Sequence, residues 1–153
     1  MKKIFICLCF FSLCGCAGYE PLFSSKNLSF YVKSVENIDN NKIVKKISRN
    51  LESNKLKISG KKSYILKITS NESNNITSKD TRGNPLTYNM VLNIEVKAFN
   101  SSSGLLINTF KLNKNFNYNN QLNKFNLSLY KKNILENMID KISKDIVIKL
   151  QSL

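Results

Sequence analysis

The sequence holds no histidine and no tryptophan, only two prolines and five glycines, and ten acidic residues against 24 basic ones. The missing histidine excludes Ser-His-Asp and Cys-His nucleophile arrangements and any imidazole metal site. Beyond residue 18 the glycines are the isolated Gly60, Gly83 and Gly104, so there is no glycine-rich loop to cradle a phosphate. No apolar run approaches the ~20 residues that a membrane-spanning helix requires. Carboxylates are scarce, and Glu136 and Asp140, four apart on an expected helix, are flanked at the same interval by Lys132 and Lys144. Ion pairing along a helix surface accounts for that quartet better than acid-base catalysis. The expectation is a protein without catalytic activity, bound metal or cofactor.

What is present begins at the amino end. Lys2 and Lys3 precede an apolar run from Ile4 to Leu13, which Leu13-Cys14-Gly15-Cys16 closes. A basic start, an apolar stretch of about ten residues and a processing site make a secretory signal rather than a domain. The closing four residues resemble the lipobox of bacterial lipoproteins, with a large aliphatic residue three positions before the cysteine and a small residue directly before it. Cys16 alone meets this spacing, because Cys7, Cys9 and Cys14 follow the bulky Ile6, Leu8 and Leu13. Residues 1–15 are therefore expected to be cleaved, and Cys16 to carry an S-diacylglycerol and an N-acyl chain. At roughly 0.8 kcal/mol per buried methylene, two or three such chains hold a protein on a membrane essentially permanently. Cys16 is then the sole remaining cysteine, so no internal disulfide is expected, although an oxidising compartment permits one.

The formal charge is +14, and two accounts of it stand side by side. One is attraction to an anionic partner, such as phosphates or acidic lipid. The other is coding bias, since the chain is crowded with Asn, Lys, Ile and Ser. The same bias explains Asn-x-Ser/Thr triplets such as Asn71-Glu72-Ser73. Lys111, Lys114, Phe116, Tyr118, Lys124 and Phe125 interleave bases with aromatics as single-strand nucleic-acid binders do, but an exported chain is not expected to meet nucleic acid.

Residues 16–27, with a proline, a glycine and serines, read as a lipidated tether, and residues 28–153 as one domain. A first strand is expected over Leu28 to Val35, with Leu28, Phe30 and Val32 inward. A helix capped by Asp39 or Asn40 follows, with Ile43, Val44, Ile47 and Leu51 on one face and an end before Gly60. Ser63 to Ser70 is a second strand, parallel to the first across the helix. Asn71 to Pro85 reads as a polar connection ending in a tight reversal. Thr87 to Phe99 alternates cleanly, and Asn100 to Gly104 forms a hairpin loop leading into a strand from Leu105 to Tyr118. On that strand Lys114 interrupts the apolar row of Phe110, Leu112, Phe116 and Tyr118. Either a bulge near Asn113 or a lack of helix cover lets it reach water, or it is a cation placed to bind. A long amphipathic helix runs from about Asn126 to the end, with Asp140–Lys144 and Asp145–Lys149 as supporting pairs. The sum is an α+β two-layer sandwich: a four-stranded mixed sheet with two helices on one face and a polar opposite face.

Cys16-Ala17-Gly18-Tyr19-Glu20-Pro21-Leu22-Phe23 resembles the mature start of the alphaproteobacterial lipopolysaccharide-assembly lipoprotein (LptE) family. There the cysteine is followed by glycine, an aromatic, any residue, proline, an aliphatic and an aromatic. Ala17 is an extra residue, and the order of elements agrees. The resemblance implies an outer-membrane lipoprotein that plugs the large barrel protein LptD, assists its assembly and helps pass lipopolysaccharide to the cell surface. Ala17, rather than aspartate, is the residue type that lets lipoproteins proceed to the outer membrane. Lys114 is the candidate contact to lipopolysaccharide. The alternative is a free-standing periplasmic lipoprotein that binds anionic envelope glycan or lipid.

Overall fold

The computed structural model describes residues 30–38, 41–52 and 62–153. Four strands and two helices follow in the order β1 (Phe30–Asn37), α1 (Lys42–Glu52), β2 (Lys62–Lys79), β3 (Pro85–Asn100), β4 (Leu106–Asn119) and α2 (Lys124–Gln151). The sheet order is β1-β2-β3-β4, with β1 parallel to β2 and the other two pairings antiparallel. This is the expected mixed sheet with two helices.

Alternation decides which face is dry. Tyr64, Leu66 and Ile68 of β2, and Met90, Leu92, Ile94, Val96 and Ala98 of β3, are buried and share one side by strand parity. Ile43, Val44, Ile47 and Leu51 of α1 and Ile134, Met138, Ile139, Ile142, Ile146 and Leu150 of α2 complete the same core. At roughly 25 cal/mol per Å² of apolar surface removed from water, this one-sided core is the main stabilising term. Ile139 and Ser143 join Ile142 and Ile146 there, so the stripe is wider than the three-and-four spacing alone indicates.

Helix starts are set by asparagine. Asn41 Oδ1 accepts the Ile43 amide at 2.8 Å, and the Asn37 side chain brackets Asn41 from the strand before it. Asn41 thus takes the capping role expected of Asp39 or Asn40, both of which lie outside the described residues, as does Leu28. Asn123 accepts from the Phe125 and Asn126 amides, so α2 begins at Lys124, two residues earlier than its apolar period indicates.

The clearest departure is Asn71 to Lys79, which is strand rather than loop. β1 pairs with β2 only as far as Ile68, and beyond that point β2 and β3 run on as a hairpin. From Asn71 on, β2 is exposed on both sides apart from the half-buried Ser73, and main-chain bonds to β3 hold it. With both faces wet, no two-residue apolar period marks it. Its end is the expected tight reversal: Asp80 Oδ1 accepts the Arg82 and Asn84 amides, and Gly83 takes φ 85°.

Candidate functional site

Cys16, with the signal and tether around it, lies outside the described residues, so the features that the fold positions begin with Lys114. Its Nζ is 2.7 Å from Asp145 Oδ2 on α2. The strand is regular there, with Lys114 opposite Leu92 and Asn113 opposite Asn93; the irregularity between β3 and β4 falls at Ala98/Phe99 instead. There is thus no bulge near Asn113: Lys114 keeps partial access to water and meets a carboxylate brought over by α2. Both side chains are 34% exposed. The pair contributes on the order of 1 kcal/mol, and an anion approaching Lys114 must compete with Asp145.

The other helix carboxylates likewise reach across to neighbouring elements. Lys46 Nζ donates to Glu136 Oε1 at 2.6 Å, and this bond and the Lys46 charge hold the Glu136 carboxyl below its ordinary range. Asn50 Nδ2 donates to Asp140 Oδ1 at 2.9 Å and to Ser143 Oγ at 3.3 Å. The two carboxylates singled out in the sequence therefore stitch α2 to α1. They were expected to pair along their own helix; Lys132 still acts on Glu136, but the bonded partners are Lys46 and Asn50 on α1.

The sheet face away from the helices carries a pattern that single-strand reading misses. Asn71, Asn93 and Asn113 are Cα partners across β2, β3 and β4, and so are Asn75, Asn89 and Asn117. Asn113 Nδ2 donates to Asn93 Oδ1, and Asn89 Nδ2 to Asn117 Oδ1, each at 2.6 Å. Beside the first row, Glu95 lies between Lys97 at 3.6 Å and Lys111 at 3.7 Å. Thr69, Asn71, Asn93, Glu95, Lys111 and Asn113 line an open depression of about 590 Å³. The sequence signal was there: each of the three strands holds two asparagines four residues apart. Only the register aligns them.

At the hairpin end, on the helix side, Tyr88 stacks on Tyr118 at 5.3 Å and Tyr130 meets Tyr118 edge-on at 6.0 Å. Lys131 Nζ sits 5.1 Å over the Tyr88 ring, and the Tyr118 hydroxyl donates to Asn74 Oδ1 at 2.9 Å. In the reversal, the Asn84 side chain and amide hold the Asp80 carboxyl below its ordinary value. Among the described residues no helix is long and apolar enough to cross a membrane.

This arrangement of strands and helices recurs among solved structures. The rare lipoprotein B of Shewanella oneidensis superposes with a TM-score of 0.63 at 16% identity, over 80% of this chain and 94% of that one. The chain has the rare lipoprotein B fold. A minor lipoprotein from Acinetobacter baumannii matches with a TM-score of 0.55 at 15% identity, over 80% of this chain and 90% of that one. Lipoprotein B from Nitrosomonas europaea matches with 0.57 at 11% identity, over 88% and 91%. No family model matches the sequence, and no curated protein matches it. The likeness to the rare lipoprotein B fold is thus one of backbone arrangement, and function has to be argued from the residues.

Proposed function

We propose that this chain is a lipoprotein of the LptE type, anchored in the outer membrane through Cys16. In this reading it seats its domain in the LptD barrel, assists the barrel's assembly and serves lipopolysaccharide transport without catalysis. The observation that carries the reading is the match over 94% of the Shewanella rare lipoprotein B chain, found for a sequence whose start reads as a lipobox. A polar sheet face of asparagine rows and paired charges suits the lumen of a large barrel, which is itself polar and wet. Affinity purification of the tagged protein from outer membranes in mild detergent is expected to recover a large barrel protein in near-equal amount. Its absence would sink the plug reading.

Lys114 is the proposed contact to lipopolysaccharide phosphate, released from Asp145 when the anion binds. Lys114→Gln is expected to weaken lipopolysaccharide binding and flatten its salt dependence. Unchanged affinity and slope return the residue to its structural bond with Asp145. The asparagine-lined depression favours a second reading, a free-standing periplasmic lipoprotein that takes envelope glycan there. Recovery of glycan with no barrel in the same purification selects it.

A further inference from the structure

The sheet face opposite the helices changes character along its length. Past Thr69 it is dominated by amides and charges, but at the end where β1 enters it becomes apolar. Ile65 and Phe99 are Cα partners on β2 and β3, and Phe99 pairs with Leu106 on β4 across the register shift at Ala98/Phe99. Leu105, just before β4, and Leu106 and Ile107 at the start of β4 are 69%, 53% and 42% exposed. Three successive large aliphatics left in water are a cost that isolated surface leucines do not impose. Lysines surround them: Lys67 Nζ lies 5.3 Å over the Phe99 ring, Lys97 sits two residues away on the same face, and Lys62 is exposed at the start of β2. Lys67 and Lys97 also meet Glu36 and Glu95.

Position says what this surface meets. The Ser101 amide donates to the Ser63 carbonyl at 2.9 Å, and Ser63 is the partner of Tyr31. The loop leading to Leu105 therefore stands beside the point where β1 enters the sheet. The steps from Cys16 to Phe30 span at most about 50 Å. β2 alone, at 18 residues, is longer, at about 60 Å. A Cys16 held in a bilayer thus limits the entry end to within about 50 Å of the surface, whereas the Asp80–Asn84 reversal can stand farther off.

We propose that the Ile65–Phe99–Leu106 row, with Leu105 and Ile107, is a second membrane contact that lays the entry end of the domain on the anionic bilayer bearing the anchor. The inference rests on the reading of Cys16 as a lipid anchor and adds an orientation to it, in which the asparagine rows face the barrel lumen and the entry end projects from the barrel's mouth. Apolar side chains settle among the headgroups while lysines at the rim meet anionic lipid. Alone the contact is weak; tethered by the anchor it acts at high effective concentration.

The chain has no tryptophan, so a single introduced indole reports on one place. Acylated Leu106→Trp, Leu105→Trp and Leu122→Trp proteins are reconstituted into phosphatidylethanolamine and phosphatidylglycerol vesicles with and without brominated acyl chains. Leu122 is fully exposed at the opposite end. Emission from the first two is expected to shift blue by about 10 nm and to be quenched by bromolipid about twofold more than Leu122→Trp. Equal quenching at both ends, or none at Leu105 and Leu106 on protein that floats with the vesicles, overturns the contact. A blue shift that follows protein concentration and ignores bromolipid assigns the row to a second copy and also overturns it. Protein that fails to float overturns the anchor reading itself, and the contact with it.

Discussion

Cys16→Ser is expected to abolish acylation and leave the chain as an uncleaved precursor, while Cys14→Ser changes neither. Only a thiol forms the thioether to diacylglycerol, and processing of a lipoprotein signal follows that modification. Cys16 is the one cysteine with a small residue, Gly15, before it and a large aliphatic, Leu13, three positions before it. The effect is large because it is all-or-none: at ~0.8 kcal/mol per methylene, loss of two or three acyl chains removes tens of kcal/mol of membrane affinity. Labelling cells with radioactive palmitate and following gel mobility measures it. Label persisting in Cys16→Ser would place the anchor elsewhere. The described strands and helices begin at Phe30, and the thermal stability of the purified protein is not expected to register the change.

Leu92→Ala is expected to lower unfolding stability by about 3 kcal/mol, a large share of the ~5–15 kcal/mol available to a domain of this size. Leu92 is fully buried on β3, an inner strand of the sheet, opposite Glu72 on one side and Lys114 on the other. Its isobutyl group fills space in the same core as Ile142 and Ile146, and the rigid strand under it cannot move up to close the gap. Asn115→Ala, an exposed change facing the other way on β4, is expected to stay within about 0.5 kcal/mol. Urea titration checks both, with the midpoint moving and the slope constant. Equal effects from the two substitutions would contradict the one-sided core.

Much of this fold was legible because burial follows period. β3 shows six apolar residues at every second position, and α1 shows Ile43, Val44, Ile47 and Leu51 on one stripe; both elements stand where those patterns place them. The far half of β2 was not legible, since a strand with water on both faces has no reason to alternate. Local charge spacing also misled. Glu136, Asp140 and Asp145 each have a lysine four residues away on their own helix, yet they bond Lys46, Asn50 and Lys114. Exposed pairs along a helix contribute only ~0.3–0.5 kcal/mol, little enough for any better-placed partner to displace them.

The residues by themselves determined the anchor candidate at Cys16, the absence of histidine chemistry, the α+β class and the inward face of each strand under helix cover. These are local properties: a cysteine's neighbours, a composition, a two- or four-residue repeat. Tertiary structure decided how far the β2–β3 hairpin extends, that Asp145 answers Lys114, and that asparagines from three strands form rows. It also gathered Ile65, Phe99 and Leu106, 41 residues apart from first to last, into one apolar patch beside the chain's entry. Register and packing angle set those contacts, and both arise only when separate segments meet, because a strand's partners lie across the sheet rather than along the chain.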